Sequence, residues 1–432
     1  MKIIQFQGVI QEELSVQIPN EDIESIQMLN HDQMVAFNTI MHAIDHNHKH
    51  SQVFFVDGPD GTGKTFLYRA LMATLRNRGK IGLATASSGI TATLLSGGIT
   101  AHSRFNLPYD VQPNSFCDIK KQKDLAKLFR VATAIIWDEA PMTNKYCLEA
   151  LDRSLRDILD CDALFGGKVM IMGGDFRQVL PLIQKGSKAQ LISACIIRSN
   201  LWANIKVLHL VQNMRSMNDP EFAQFLMRIG DSVEPTKLNA MVRIPHQIAL
   251  PWEGEQSIQT LIDHIFPQLN LHGWDASYMV ERAIITLTND DVQKLNDIII
   301  NQFSGEEHNL LSFDEVEGDT HNLYQREFLN SIAQGSIPPH ILKVKKGAPL
   351  MLLRNIDPRY GLCNGTRLLC RGLFKNMLDV KILTGSNAGK RAFLRKQFSV
   401  KLSFAITINK SQGRTIPNVR IYLPRHVFSH GQ

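Results

Sequence analysis

Residues 58–65, Gly58-Pro-Asp-Gly-Thr-Gly-Lys-Thr65, decide the fold class of this 432-residue chain. They match the phosphate-binding pattern G-x-x-x-x-G-K-[ST]. The apolar run at 52–56 (QVFFV) predicts a strand before the loop, and residues 64–76 predict a helix after it. Glycines let backbone amides turn towards a phosphate, and the helix N-terminus adds the positive end of its dipole. The stretch therefore predicts an α/β domain that binds a nucleoside triphosphate.

The residues of this loop that we expect to contact ATP are Gly58, Gly61, Thr62, Gly63, Lys64 and Thr65. Lys64 is expected to reach the β- and γ-phosphates, and the Thr65 hydroxyl is expected to ligate Mg²⁺. Asp60 is unusual in such a loop, because a carboxylate there repels phosphate. We expect Asp60 to point outward, since ATP affinity would otherwise suffer.

Two further acidic and polar groups follow apolar runs downstream of the loop. Asp138 and Glu139 come after 134–137 (AIIW), and Gln178 lies beyond 169–172 (VMIM). An Asp-Glu pair alone is a weak signal and is also typical of a solvated strand end. After a phosphate loop it predicts that Asp138 holds Mg²⁺ and that Glu139 polarises the attacking water. Gln178 is interpreted as a γ-phosphate sensor, with a plain polar turn as the alternative.

Alternating strand and helix patterns predict how the chain is divided. Residues 81–85 predict another strand of a parallel sheet, and 283–288 followed by 291–303 begin a second α/β pattern. We expect an N-terminal extension at 1–27, a first domain at 28–230, a connection with one helix at 231–277 and a second domain at 278–432. Short β-like runs punctuated by glycines at about 338–398 predict a small β-barrel insert in the second domain.

Composition restricts the class of protein. Residues 340–432 contain 18 Lys and Arg but only Asp357 and Asp379 as acids, whereas the rest of the chain is net acidic. Such a basic block favours a nucleic-acid partner over a merely solvated face. The six cysteines are scattered without a CxxC pair, so a zinc site and a disulfide scaffold are both disfavoured and a reduced, intracellular protein is favoured. Neither a transmembrane run nor a secretory leader is evident, so no membrane partner is expected.

The ordered motifs from residue 29 to 432 resemble superfamily-one DNA helicases, specifically the RecD-like PIF (petite integration frequency) family, and are close to its Helitron-type eukaryotic members. The segments that carry the resemblance are Leu29-Asn-x-x-Gln33, Thr85-Ala-Ser-Ser-Gly89, Gly98-Ile-Thr-Ala-His-Ser103, Trp137-Asp-Glu-Ala-Pro-Met142, Gly174-Asp-Phe-Arg-Gln178, Leu210-x-x-Asn-Met-Arg215, Leu287-Thr-Asn289, Gly347-Ala-Pro-Leu-Met-Leu-Leu-Arg-Asn355 and Phe404-Ala-Ile-Thr-Ile-Asn-Lys-Ser-Gln-Gly413. The resemblance implies tandem RecA-like P-loop NTPase domains with an SH3-like β insert in the second.

The resemblance also implies roles for individual residues. Gln33 would contact adenine, and Arg215 would reach the γ-phosphate, so that the implied catalytic set is Lys64, Asp138, Glu139, Gln178 and Arg215. Single-stranded DNA would lie against Ser88, His102, Ser103, Phe105, Thr288, Asn289, Lys410, Ser411 and Gln412. For Phe105 the residues themselves leave base stacking and a core position open, and Arg104 is either a phosphate contact or solvated. For Lys410, Ser411 and Gln412 the alternative is a plain polar loop.

Family members carry a sixth motif ending in an arginine, whereas this chain stops at Ser429-His-Gly-Gln432, so we expect that motif to be missing and the second domain to be truncated. The resemblance implies an ATP- and Mg²⁺-dependent helicase that moves 5′ to 3′ on single-stranded DNA and opens duplex or structured DNA. The alternatives are a degenerate, transposon-derived protein that binds ATP and DNA without unwinding, and, less well matched, a P-loop kinase or GTPase. Family members act in telomere maintenance, repair and recombination, which makes the nucleus or the mitochondrion the expected compartment.

Overall fold

Two units make up the described part of the chain, the first ending at Arg243 and the second beginning at Ile244. The computed structural model describes residues 8–46, 52–178, 181, 183, 186–215, 219–237, 241–311, 340–375, 377–385, 387–395 and 399–424. The boundary lies inside the segment 231–277 that we expected to connect two domains, and the expected helix of that segment is present as Gln256–Ile265.

A six-stranded parallel sheet forms the centre of the first unit. Its strands are β1 (Val53–Asp57), β2 (Ile81–Ala86), β3 (Ile99–Thr100), β4 (Ala132–Asp138), β5 (Val169–Gly174) and β6 (Ile205–His209), in the order β3-β2-β4-β5-β1-β6. The helices are α1 (Gly8–Leu14), α2 (Asn20–Glu24), α3 (His31–His46), α4 (Lys64–Asn77), α5 (Gly89–Thr93), α6 (Ala101–Phe105), α7 (Asp124–Val131), α8 (Lys145–Leu159), α9 (Lys188–Ala194) and α10 (Pro220–Gly230).

Both faces of this sheet are buried at its four inner strands β1, β2, β4 and β5, which explains why these strands are largely apolar. Phe54 and Val56 of β1 face a core shared with α3 and α4, and Val53 and Phe55 face a second core shared with α7 and α8. Because all six strands are parallel, their carboxyl ends meet at one edge. That edge brings the segments after β1, β4, β5 and β6 together.

The expected N-terminal extension packs onto the first unit through ion pairs. Glu13 of α1 accepts a 2.6 Å hydrogen bond from Nη1 of Arg104, and both side chains are buried. Asp22 of α2 lies 2.5 Å from Nη2 of Arg69 on α4. The segment from residue 8 onward is therefore part of the first unit rather than a separate appendage.

The second unit joins a parallel sheet to an antiparallel one around one apolar core. After the short hairpin β7 (Thr236–Lys237) and β8 (Met241–Val242), its elements are α11 (Gln256–Ile265), α12 (Ala276–Val280), β9 (Arg282–Thr286), α13 (Asn289–Gln302), β10 (His308–Leu311), β11 (Ile341–Val344), β12 (Pro349–Leu352), β13 (Arg367–Phe374), β14 (Met377–Ile382), β15 (Arg391–Arg395), β16 (Val400–Leu402), β17 (Ala405–Thr407), α14 (Ile408–Ser411) and β18 (Asn418–Tyr422). The parallel sheet has the order β17-β9-β18.

The β insert is an antiparallel sheet in the order β15-β14-β13-β12-β16. The expected β insert is therefore confirmed, but over the described residues its strands form a sheet with two edges rather than a closed barrel. The α/β class of the chain is confirmed as well. Within the ranges given above, no helix is long and apolar enough to cross a membrane.

Candidate nucleotide and DNA sites

The phosphate loop connects the end of β1 to the first residue of α4. Gly61 and Gly63 have φ angles of +87° and +78°, in the left-handed region that favours glycine. A Cβ at Gly61 would lie 2.4 Å from Oδ1 of Asn213, so a side chain there would displace the Asn213 amide. Nζ of Lys64 donates to the Gly58 carbonyl at 2.6 Å. Nζ also lies 3.4 Å from the Pro59 carbonyl. The lysine side chain is thus held inside the loop, where a bound phosphate would replace these two carbonyls as its hydrogen-bond partner.

Gln33 supports the phosphate loop through hydrogen bonds of its side-chain amide. Its Nε2 donates to the Thr62 carbonyl at 2.9 Å, and its Oε1 accepts from the Asn30 amide at 3.0 Å. Only 3% of Gln33 is exposed. Both ends of the amide are therefore bonded within the chain, which assigns Gln33 a structural role in the loop. The adenine contact implied by the family resemblance stays a prediction.

Asp138 and Glu139 lie at the carboxyl end of β4, as the sequence predicts. Asp138 is 1% exposed, and its Oδ1 accepts from the Glu139 amide at 3.0 Å. Burial raises the pKa of Asp138 to about 6, opposed by the charge of Lys64 and by a hydrogen bond from Thr65. Burial, followed by the charge of Asp138, raises the pKa of Glu139 to about 8. Two adjacent buried carboxylates repel each other when both are ionised, so a bound cation would be complementary to the pair.

Gln178 follows β5 and is half-buried. Its Nε2 donates to Oδ2 of Asp175 at 3.3 Å, and Asp175 also accepts from the Arg177 amide at 3.0 Å. Asp175, which the sequence analysis did not single out, therefore orients both of its neighbours. The sensor role of Gln178 stays a prediction.

Arg215 lies beside the phosphate loop, bonded to it through Asp60. Nη1 of Arg215 donates to the Asp60 carboxylate, and the Met214 amide donates to the Gly61 carbonyl at 2.8 Å. Asp60 is mostly exposed, as we expected for an outward-pointing carboxylate. The partner of Arg215 in this structure is thus a group that the sequence analysis considered only for its repulsion of phosphate.

The predicted DNA residues of the first unit divide into exposed and buried groups. His102 and Ser103 on α6 are exposed, and Ser88 caps α5 by accepting from the Thr91 amide at 3.1 Å. Phe105 is 0% exposed and packs against Phe129 and Trp137, so the prediction that it stacks on a base is wrong. Arg104 is neither solvated nor available to phosphate, because Glu13 pairs with it in the interior.

Tyr109 is the exposed aromatic residue near these motif residues that sequence reasoning missed. It is 99% exposed, and its ring lies nearly parallel to that of His102, with centroids 6.3 Å apart. Because Tyr109 lies outside the motif segments, nothing in the sequence indicated that it could contact DNA. A fully solvated tyrosine ring beside an exposed histidine has the chemistry of a base-stacking surface.

The predicted DNA residues of the second unit lie around the ends of β9 and β17. Thr288 caps α13 by accepting from the Asp291 amide at 3.2 Å, which is the position that Ser88 occupies after β2. Asn289 is exposed, and its Oδ1 lies 3.4 Å from Nζ of Lys401. The structure therefore brings Asn289 close to a lysine of the basic block.

Lys410, Ser411 and Gln412 follow β17 in the same unit and are half-buried. Nζ of Lys410 donates to Oδ1 of Asn364 at 2.6 Å, and the Ser411 hydroxyl donates to the Ile408 carbonyl at 2.7 Å. Burial, together with the charges of Lys401 and Arg414, lowers the pKa of Lys410 to about 8. Clustered cations that disfavour one another's charge form a surface to which a polyanion is complementary.

A parallel sheet carrying a glycine phosphate loop and a buried Asp-Glu pair at its carboxyl edge defines a P-loop NTPase. Family models for a PIF1-like helicase and for the 2B domain of the DNA helicase Pif1 match residues 28–238 and 327–373. The chain belongs to the PIF1-like helicase family.

Two relatives are similar to the chain in sequence, and one solved structure is similar to it in fold. The chain is 27% identical over 429 residues to the ATP-dependent DNA helicase PIF1 of Xenopus laevis, covering 94% of this chain and 58% of that protein. It is 27% identical to the ATP-dependent DNA helicase Pif1 of Campylobacter jejuni, covering 88% and 84%. A crystal structure of Bacteroides Pif1 bound to ssDNA superposes with a TM-score of 0.64 at 22% identity, covering 93% of this chain and 88% of that one. The chain thus spans a little over half the length of the vertebrate relatives it matches.

Proposed function

We propose that this chain is the motor portion of an ATP-dependent DNA helicase that moves 5′ to 3′ along single-stranded DNA and opens duplex or structured DNA. The observation that carries the proposal is the assembled site of the first unit. Lys64 lies inside a glycine loop, and the hydroxyl of Thr65 donates to the buried Asp138. Its family relatives are named ATP-dependent DNA helicases.

The side chains of this site fit Mg²⁺-ATP. Thr65 and Asp138 would hold Mg²⁺, which binds proteins through one or two oxygen groups and takes its other ligands from phosphate and water. Consistent with so few protein ligands, the described ranges contain no cluster of three or more His, Cys, Asp or Glu suited to a metal. The ion would neutralise charge that develops on the phosphates. Glu139 would orient the attacking water, and Lys64 would exchange loop carbonyls for phosphate oxygens.

Single-stranded DNA is the partner that the remaining predicted residues fit. In the first unit, His102 lies beside the exposed Tyr109, and Ser88 and Ser103 contribute hydroxyl groups. In the second unit, Asn289, Lys401 and Lys410 add charge and hydrogen-bond donors. Most protein–DNA hydrogen bonds go to the sugar-phosphate backbone, for which hydroxyl, amide and ammonium groups are suited. We propose that each of these two sets contacts single-stranded DNA.

DNA-stimulated ATP hydrolysis tests the proposal. We expect turnover of Mg²⁺-ATP to rise several-fold with saturating single-stranded DNA, and to be lost in Lys64→Ala. A duplex with a 5′ single-stranded tail should be unwound, and one with a 3′ tail should not. DNA-independent turnover would contradict a helicase and favour a P-loop kinase or GTPase. Binding of ATP and DNA without unwinding would favour the degenerate alternative.

We also propose that the protein acts inside the cell, in the nucleus rather than in the mitochondrion. A DNA substrate requires one of these compartments in a eukaryote. All six cysteines are unpaired in the structure, as is typical of a reducing environment. Fluorescence microscopy of the tagged full-length protein tests the location, and a mitochondrial signal would contradict it.

A further inference from the structure

The segment 210–215, which follows β6, is hydrogen-bonded to the end of β1 and to the phosphate loop. The Leu210 amide donates to the Asp57 carbonyl at 2.8 Å, and the Met214 amide donates to the Gly61 carbonyl at 2.8 Å. Nδ2 of Asn213 donates to the Asp60 carbonyl at 3.1 Å. Backbone and amide bonds thus fix where the Arg215 side chain begins, independently of its own charge.

From this fixed position the Arg215 side chain reaches the carboxylate of Asp60. The Arg215 amide donates to Oδ1 of Asn213 at 2.9 Å, which also orients the residue. The two charged side chains are 54% and 69% exposed, so they are free to move without disturbing the core. Asp60 belongs to the loop whose backbone would surround a bound phosphate chain, and Arg215 therefore already lies at the margin of that site.

A γ-phosphate and the Asp60 carboxylate are both anions, and Arg215 has one planar set of donors for them. The phosphate carries the larger charge and three acceptor oxygens, so an arginine within reach of both moves to the phosphate. Asp60 then loses its partner while a new anion is bound nearby. A nucleoside diphosphate lacks the γ-phosphate and leaves the pair intact.

We propose that Asp60 competes with the γ-phosphate for Arg215, so that the arginine lies on Asp60 when the site is empty or holds a diphosphate and transfers to the γ-phosphate of a triphosphate. The proposal rests on nucleotide binding as proposed above and deepens it. Asp60 in this role is a specificity-determining residue: it weakens binding of ATP relative to ADP, because only ATP must break the ion pair. The loop that binds the nucleotide thereby also senses whether the γ-phosphate is present.

The test is the ratio of two affinities in charge-neutralising variants. Fluorescent ADP and a fluorescent non-hydrolysable ATP analogue are titrated, with Mg²⁺ and without DNA, into the unaltered chain, D60N, R215Q and the double variant. D60N keeps the side-chain shape, and its backbone carbonyl still accepts from Asn213. D45N is the matched control, because Asp45 is an exposed carboxylate of the same unit that pairs with Arg78 at 3.0 Å and with Lys80 at 3.3 Å.

We expect D60N to raise affinity for the ATP analogue relative to ADP by about two- to tenfold, the range of an exposed ion pair plus a nearby charge in water. D45N should leave the ratio unchanged, and D60N should have a smaller effect in the R215Q background. An unchanged ratio in D60N, or the same factor with and without Arg215, would overturn the competition while leaving nucleotide binding intact. Failure of the unaltered chain to bind either nucleotide would overturn both this inference and the proposed function.

Discussion

Phe105 and Tyr109 show how the environment of a single residue decides its role. Phe105 lies within the segment that resembles a DNA-gripping motif, yet it is fully buried against Trp137. Tyr109 lies outside the motif and is almost completely exposed beside His102. Stacking on a base requires an open ring face, so the exposed residue is the one suited to contact DNA.

We therefore predict that Tyr109→Ala lowers affinity for single-stranded DNA by about 1–3 kcal/mol, the value of one base–aromatic contact. Tyr109→Trp should retain the affinity, and ADP affinity should be unchanged in both variants. Fluorescence anisotropy with an oligonucleotide measures the effect. Phe116→Ala is the matched control, because Phe116 is 55% exposed but the Arg153 guanidinium lies 5.7 Å from its ring centroid. Equal losses in the two alanine variants would argue against a specific stacking role.

We expect Lys410, a predicted DNA contact, to make DNA binding depend on pH. Its pKa is lowered to about 8 by burial and by Lys401 and Arg414, so it is charged at pH 7 and largely neutral at pH 9. We predict that, between pH 7 and pH 9, the DNA affinity of the unaltered chain falls more than that of the Lys410→Gln variant. Because the folded pKa lies below that of an unfolded lysine, the same deprotonation stabilises the fold as pH rises through 8.

Lys168 is the control for this pH effect. Burial lowers its pKa to about 8 as well, but its Nζ donates to the Ala132 carbonyl at 2.7 Å, at the amino end of the first unit's sheet. Lys168→Gln should therefore leave the pH dependence of DNA binding unchanged. If Lys410→Gln retains the full pH dependence, another group is responsible for it.

At the scale of elements, helix α1 is attached to the unit that carries the nucleotide site by a buried charge. Glu13 pairs with Arg104, which lies on the same helix as His102 and Ser103, and Arg76 lies 3.9 Å away. Removing one partner of a buried pair leaves an uncompensated charge, at a cost of about 3–5 kcal/mol. We predict that Glu13→Gln lowers the unfolding free energy of the first unit by this order, measured by urea denaturation.

The exposed neighbour Glu12 provides the comparison for Glu13. Glu12→Gln should change stability by less than about 0.5 kcal/mol, as is usual at the surface. DNA affinity of Glu13→Gln, measured where the variant is folded, reports whether α1 also positions α6. Equal stability of the two variants would show that the Glu13–Arg104 pair contributes little.

The elements that the sequence predicted well are those with a buried, continuous apolar pattern. The run at 134–137 lies within β4 (Ala132–Asp138), and the helix at 64–76 corresponds to α4 (Lys64–Asn77). The edge strands β6 (Ile205–His209) and β15 (Arg391–Arg395) were missed, because half-exposed strands have mixed polarity that resembles a loop. The local sequence pattern also did not predict that Arg104 is buried, since its partner Glu13 is distant in sequence.

The nucleotide site was largely predictable because motif spacing places its residues. A loop after β1, an acidic pair after β4 and a glutamine after β5 must meet at one edge of a parallel sheet. Motif spacing does not determine which neighbouring group each of these side chains takes as its hydrogen-bond partner. The bonds from Gln33 to the Thr62 carbonyl and from Arg215 to Asp60 are tertiary contacts, set by how helix α3 and the segment 210–215 pack against the loop.

At the scale of the whole molecule, acidic and basic residues are segregated along the sequence rather than between the two units, because residues 244–339 of the second unit are acidic. The basic block at 340–432 lies almost wholly in the second unit, and the rest of the chain is net acidic. In the β insert, Lys390, Arg391, Phe393 and Arg395 are exposed, and the Arg391 guanidinium lies 4.7 Å from the Phe393 ring centroid. Phe393 thus places an exposed aromatic ring among the basic side chains of this strand.

Not every positive charge of this run is equally available to phosphate. Arg391 forms two hydrogen bonds, of 2.8 and 2.9 Å, with the carboxylate of Asp379, whereas Arg395 is exposed with no carboxylate described beside it. Lys396, the next basic residue along the sequence, lies outside the described residues. Salt dependence measures the sum of these contributions, because each phosphate neutralised releases counterions.

We predict that the affinity of the chain for single-stranded DNA falls steeply with salt, by a slope of about −0.7 in log K against log[salt] for each phosphate contacted. Replacing Lys390, Arg391, Arg395 and Lys396 together by Gln should flatten that slope, because the second unit would lose phosphate contacts.

The control replaces four exposed basic residues of the first unit, namely Arg130, Lys188, Arg198 and Lys206. It removes the same net charge, so it isolates position from total charge. If both quadruple variants flatten the slope equally, long-range charge alone attracts the DNA. If the unaltered chain already has a slope near zero, the basic block is a solvated face and does not bind the strand.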